Sequence, residues 1–266
     1  MKKLLSLIIL SILVCFSAQA KEYSFDEVKE CGEELLCDLR DIPINGLIKG
    51  FHSDGNKAIE ANYKNGKLNG TTKIYYKSGI LEELMNYTDN KQEGVSKKFY
   101  ENGNVWAEVI YREGKEHGIS KVYFENGNLK EEKKYSNGKL NGIKKEYDIN
   151  GNKKLEGFFE NDIPNGIFKL FYENGNLWME KSYEYGKEEG SSKAYYNSGI
   201  LAVETNYKRG KLDGLSKGYR QDGSLETEVT FKKGEPLSGY IYEDNGKKIK
   251  MTRTLLQSYT KELLKK

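Results

Sequence analysis

The chain has 266 residues, 37% hydrophobic and 31% charged, with a formal net charge of +3. A balance this close to neutral supplies no basic field for nucleic acid or anionic lipid, so nucleic-acid binding is disfavoured as a function class. So polar a chain borders on the disordered class, yet 20 tyrosines and 10 phenylalanines at fixed spacing need a regular surface to pack on.

Residues 1–20 read as a secretory signal: Lys2 and Lys3 lead, Leu4–Phe16 is the apolar run, and Ala18-Gln19-Ala20 is a small-x-small cleavage site. The run falls short of the roughly 20 residues a spanning helix needs. A lipid anchor on Cys15 is opposed by Val14, which stands where a small residue is expected. The mature chain is therefore expected to begin at Lys21 and to be exported, to the periplasm or beyond the cell. Export leaves two cysteines, Cys31 and Cys37, and an even, nearby pair in an oxidising compartment predicts a structural disulfide, with two buried thiols as the alternative. A metal or redox site would need a CxxC or further His and Cys ligands, and the sequence offers neither.

Residues 21–45 lack the glycines that punctuate the rest. Ser24 with Glu27 has capping-box spacing, and Phe25, Val28, Leu35 and Leu36 can share one face, which predicts a short helical N-terminal cap.

Residues 46–250 form an array with a 24-residue period. Glycine recurs at 55, 79, 103, 127, 151, 175, 199 and 223; taking each as position zero, the preceding residue is Asn, Asp or Ser, a pairing that predicts a tight hairpin turn with positive φ. A second turn falls at +11, where glycine stands in six units and Asn90 and Asp162 in the other two. Position −6 is lysine in all eight units and +5 is glutamate in seven, Leu84 being the exception. A hairpin about the central glycine sets these two positions opposite each other, so the turn and the charges support one register. Position −4 is aromatic throughout and shares a face with the Lys and Glu rows; position +8, from Tyr63 to Phe231, is aromatic on the other face. The fold class is thus an all-β repeat, an elongated single-layer antiparallel meander of about eight hairpin units, roughly 75 Å long at about 4.8 Å per strand. After Pro236 the register slips by one, and Leu255, Leu256, Tyr259, Leu263 and Leu264 fall at helical spacing, so residues 251–266 are expected to form a capping helix over the open sheet edge. Its amphipathic, lysine-bearing form also permits contact with a membrane surface.

The unit Y-x-N-G-K-x-x-G-x-x-K-x-Y-[YF]-E-N-G, in Tyr135–Gly151 and with substitutions in Tyr87–Gly103, resembles the bacterial variant of the MORN repeat over about residues 46–246. The G-x-G of the common MORN pattern is replaced here, as in Gly142-Ile143-Lys144-Lys145, which points to the variant subfamily. The resemblance implies a binding repeat, and bacterial members often carry an antitoxin-like label, so neutralising a toxin by direct binding is the alternative function.

The inventory for catalysis is thin. Only His52 and His117 occur, each at a position that other units fill with Tyr or Asn, and neither GxxxxGK[ST] nor HExxH is present. The expectation is a non-enzymatic protein with no cofactor or metal that binds another protein. Candidate sites lie where the repeat departs from itself: Trp106 and Trp178 both stand at +3, three units apart, and are expected opposite Phe99 and Phe171. Two readings compete for them, extra cross-strand packing and exposed anchors for a protein or a glycan.

Overall fold

The computed structural model describes residues 21–263, so the signal segment and Leu264 lie outside the described residues. From Gly46 to Tyr242 the chain folds back on itself hairpin after hairpin into one long, mostly antiparallel sheet, which together with the strands Lys21–Ser24 and Lys248–Lys250 has 22 strand segments. Consecutive strands pair, so each finds its backbone partners in its immediate sequence neighbours.

The lysine and glutamate positions meet as their spacing predicts. Lys121 faces Glu132 within one hairpin, Glu132 faces Lys145 across the second turn, and Lys145 faces Glu156 in the next unit. The same alternation runs from Lys49 facing Glu60 to Lys217 facing Glu228, interrupted only where Leu84 sits between Lys73 and Lys97. Several pairs close to ion-pair distance, such as Lys97–Glu108 at 2.7 Å and Lys145–Glu132 at 3.0 Å. Half-exposed pairs of this kind contribute about 0.2–1 kcal/mol each, so the row specifies register more than it supplies stability.

The two turns of each unit differ. At the second turn both central residues take positive φ, as in Asn137 (53°) and Gly138 (79°), the geometry that matches strand twist. Asn90 (67°) and Asp162 (72°) adopt it in place of glycine, and their side-chain oxygens accept from the backbone N–H of Leu68 and Leu140 at 2.6 and 2.8 Å. At the central turn the glycine takes the expected positive φ, and the residue before it does not. Gly103 donates to the Tyr100 carbonyl at 2.9 Å while Tyr100 donates to that of Asn104 at 2.8 Å, a three-residue loop closed on the glycine. The asparagines bond elsewhere: Asn102 accepts from the Asn104 N–H at 2.9 Å, and the Asn104 side chain donates to the Glu125 carbonyl at 2.9 Å. With Asn128 reaching Ile149 and Asn176 reaching Asn197 in the same way, each turn is tied to the next unit's turn.

Immediately after each central loop the strand bulges. Val105 pairs with Phe99 and Ala107 with Lys98, leaving position +3 as an extra residue. The bulge recurs in the other units, for instance between Leu177 and Met179.

The two ends depart from expectation in opposite ways. Residues 21–45 are not a helix: Lys21–Ser24 is a strand that pairs in parallel with Gly46–Lys49, Phe25–Glu27 is a single 3-10 turn, and Val28–Gly32 pairs with Leu35–Asp38 as a small hairpin. The capping box holds, Ser24 N–H donating to Glu27 at 2.8 Å, but it caps only that one turn. A disulfide joins Cys31 to Cys37, with Cα atoms 5.7 Å apart. The helix Arg253–Leu263 forms, yet it covers a face of the sheet and not its edge; the edge is the short strand Lys248–Lys250, paired with Tyr240–Tyr242. Tyr23, Ile44 and Ile48 form one small core at the first end, and Leu212, Val229, Phe231, Met251 and Leu256 form another at the last.

Glycine 157 tests the packing between those cores. It lies opposite Phe168, whose ring fills the space a Cβ would need and stacks edge-on against Phe159 and Tyr183. Gly157→Ala should therefore lower stability by about 1–3 kcal/mol. Combined with Phe168→Ser, the residue type that Ser192 and Ser216 place at the same repeat position, the total loss in a urea titration should fall short of the sum of the two single changes.

Candidate binding face

Alternation divides the sheet into two faces with different chemistry. One carries the Lys and Glu rows with the −4 aromatics. Tyr75 and Tyr123 on this face donate to Glu60 and Glu108 of the preceding unit at 2.7 and 3.2 Å. The other, the inner face, is the one against which both end segments pack. Along it the +8 aromatics stand across from glycines: Tyr63 from Gly46, Tyr87 from Gly70, Tyr111 from Gly94 and Tyr135 from Gly118. The +6 and −7 positions beside them are often small, Ser96, Ser120, Ser192 and Ser216 being buried.

The end segments occupy only the extremities of this face. Leu36 and Tyr63 pack with Tyr23, Ile44 and Ile48 at one end, and Tyr207, Tyr259 and Leu263 pack with the Val229–Phe231 core at the other. Between them no described segment covers the face, which carries ion pairs among its rings: Glu83–Lys98 at 2.5 Å, Glu131–Lys133 at 2.7 Å, Lys144–Glu146 at 2.6 Å and Lys181–Glu188 at 2.7 Å. Burial pushes the Glu116 carboxyl up, and only Lys133 pulls it down. Burial likewise pushes up the hydroxyls of Tyr63, Tyr87, Tyr111, Tyr135, Tyr183 and Tyr207.

Trp106 and Trp178 are both exposed, 42% and 41%. The structure does not set them opposite Phe99 and Phe171, which pair instead with Val105 and Leu177. Because the bulge gives two residues to one partner, +3 turns to the same side as +4. Trp106 accordingly tilts against Tyr100, ring centroids 6.3 Å apart, with the Lys98 ammonium 5.6 Å from its ring centre. Trp178 repeats the contact with Tyr172 at 6.1 Å. Phe171 stays on the Lys and Glu face, under Lys153 at 5.6 Å. In the seventh and eighth units the equivalent positions, Ala202 and Glu226, line a hollow against Tyr259 and Leu263 of the helix, so the tryptophans belong to the face that the helix covers further along. The signal that sequence reasoning missed was the aromatic at −3, which stands as Tyr100 and Tyr172 in both tryptophan units.

The histidines are absorbed by the repeat. His52 Nε2 lies 2.9 Å from the Tyr75 carbonyl, the link that the hydroxyls of Tyr76, Tyr100, Tyr172 and Tyr196 make one unit further on. His117 donates its backbone N–H to Ile110 at 2.7 Å. Among the described residues, no group of three or more His, Cys, Asp or Glu side chains is placed to hold a metal ion. No helix among them is long and apolar enough to cross a membrane.

A single-layer array of near-identical hairpins, each resting on its neighbours and packed at each end against a terminal segment, is an open-ended repeat protein. The chain matches the family model of the MORN repeat variant over residues 44–65, 68–89, 92–113, 116–139, 164–185, 188–209 and 212–233, and it belongs to that family. The unmatched stretch 140–163 folds as the same hairpin, with Phe159 and Asp162 at its variable positions. No curated protein matches the chain.

Raised tyrosine pKa values tie stability to alkaline pH. Burial and the Glu60 hydrogen bond hold Tyr75 up to about 12. A phenol near pH 10 when unfolded and higher when folded contributes stability that is complete below about pH 10 and lost as pH rises toward the folded value. The tyrosinate absorbance of these shielded rings should therefore rise late, together with loss of the far-UV strand signal.

Proposed function

We propose that the chain is an exported, non-enzymatic scaffold of a bacterial cell envelope that binds another protein through the open part of its inner face. The observation that carries this reading is the placement of two exposed tryptophans, each backed by a tyrosine, on the stretch that neither end segment covers. Trp and Tyr supply large, rigid contact area at low entropic cost, and aromatic anchors of this kind dominate interface energetics. Export rests on the reading of residues 1–20. The Cys31–Cys37 disulfide agrees with an oxidising compartment.

Cross-linking the chain in its own envelope should capture a partner saturably. Trp106→Ala with Trp178→Ala should weaken that capture by about tenfold or more while the thermal transition stays put. Undiminished capture would remove the tryptophans from the site. If instead deletion of the gene product exposes cells to a co-produced toxin, the bound protein is that toxin and the antitoxin reading replaces the scaffold.

A further inference from the structure

The Lys and Glu face carries a second feature. Beside the charged row, at positions −8 and +7, the outer units hold mostly polar residues, Asn62, Thr71 and Asn86 at one end and Ser191, Asn206 and Thr230 at the other, with Leu47 and Leu215 as exceptions. Asn62 donates to the Thr71 carbonyl at 2.6 Å and Asn206 to that of Leu215 at 2.8 Å, so these side chains have a structural use. In units three to six the same row becomes Val95, Ile110, Ile119, Lys134, Ile143, Phe158 and Ile167, and it ends at Ser182 opposite Ile167. Val95 pairs with Ile110 and Ile143 with Phe158, while Ile110 and Phe158 each lie against the glycine that precedes Ile119 and Ile167, so the row is continuous over seven strands. Five of these side chains, Val95, Ile119, Ile143, Phe158 and Ile167, are 40–53% exposed. A contiguous strip of this kind, about 29 Å long at about 4.8 Å per strand, is more apolar surface than folding explains.

We infer that this strip is a self-association surface through which two copies of the chain pack face to face about a two-fold axis. The charges beside it select the occupant. Lys97, Glu108, Lys121, Glu132, Lys145, Glu156 and Lys169 alternate in sign over the same seven strands. A two-fold axis parallel to the strands, midway between Glu132 and Lys145, lays the row over itself in reverse order. Glu132 then meets Lys145 of the other copy, Lys121 meets Glu156, and Glu108 meets Lys169. Under the same operation Ile119 covers Phe158, Ile110 covers Ile167, and the aliphatic stem of Lys134 covers Ile143. An axis through a strand would instead set like charges face to face, so the row fixes the register of the pair as it fixes that of the hairpins. Two rows along seven strands, about 34 Å by about 14 Å, give roughly 450–600 Å² per copy, the small end of protein interfaces and suited to a reversible dimer. The surface is distinct from the inner face and does not depend on the function proposed for that face.

Sedimentation of the purified chain should show a dimer whose dissociation strengthens with salt. Ile143→Ser with Phe158→Asn installs the residue types of Ser191 and Asn206, with which the same hairpin folds, and should shift dimerisation at least tenfold toward monomer with an unchanged circular dichroism spectrum. The charges give a sharper reading. Glu132→Lys alone and Lys145→Glu alone each place like charges across the axis and should be monomeric, whereas their equimolar mixture restores both opposite pairs and should dimerise. A chain that stays monomeric at 100 micromolar overturns the inference, even if it adsorbs to lipid vesicles through the strip. So does a dimer indifferent to the Ser and Asn changes, or a mixture that stays monomeric.

Discussion

Register governs this molecule. A single layer of strands has no opposing sheet to punish a slip, and a shift of one residue would exchange its two faces. The alternating row from Lys49 to Glu228 opposes such a shift in every hairpin, because a one-step slip would break opposite-sign pairs throughout. Each pair is weak, but a change of register would lose many at once. The faces follow from that row: −4 aromatics and the apolar strip share the charged side, while +8 aromatics and small residues share the other.

The turns supply what a thin sheet lacks in core. Asparagine side chains beside the central glycines bond the next unit's loop, tyrosine hydroxyls at −3 bond the next unit's strand, and each second turn donates to a carbonyl one unit back. Stability therefore resides in contacts between neighbouring units, the regime of linear repeat proteins. Among the described residues the buried clusters lie at the ends. At the first end these involve a parallel strand, a hairpin and a disulfide; at the last, a helix laid across the inner face. Because duty to the fold consumes most repeated residues, the side chains free of that duty stand where a unit breaks the pattern, as Trp106, Trp178 and the Val95–Ile167 strip do.

Much of this was legible in the sequence. The glycine period located the turns, the Lys and Glu spacing predicted the pairing of Lys121 with Glu132, and the repeat string pointed to the family. Less legible was the site: Trp106 and Trp178 stood out as departures, but the bulge beside the central loop moved them away from Phe99 and Phe171 and onto the opposite face. A bulge changes a side chain's face without changing the residue count that sequence reasoning uses, so spacing alone missed it. The N-terminal segment misled for a different reason. Its capping box and apolar spacing suit a helix, but the unpaired edge of Gly46–Phe51 is satisfied by Lys21–Ser24 as a strand, a demand set by the sheet and not by local preference.

By itself, then, the sequence determined the period, the turns, the antiparallel pairing and the two rows of side chains, because all of these depend on residues close in the chain. Only the tertiary structure decided which face the helix Arg253–Leu263 covers, which stretch of that face stays open, and that Trp106 and Trp178 project from it. Those outcomes depend on the bulge geometry and on packing between segments far apart in sequence, which no local pattern encodes.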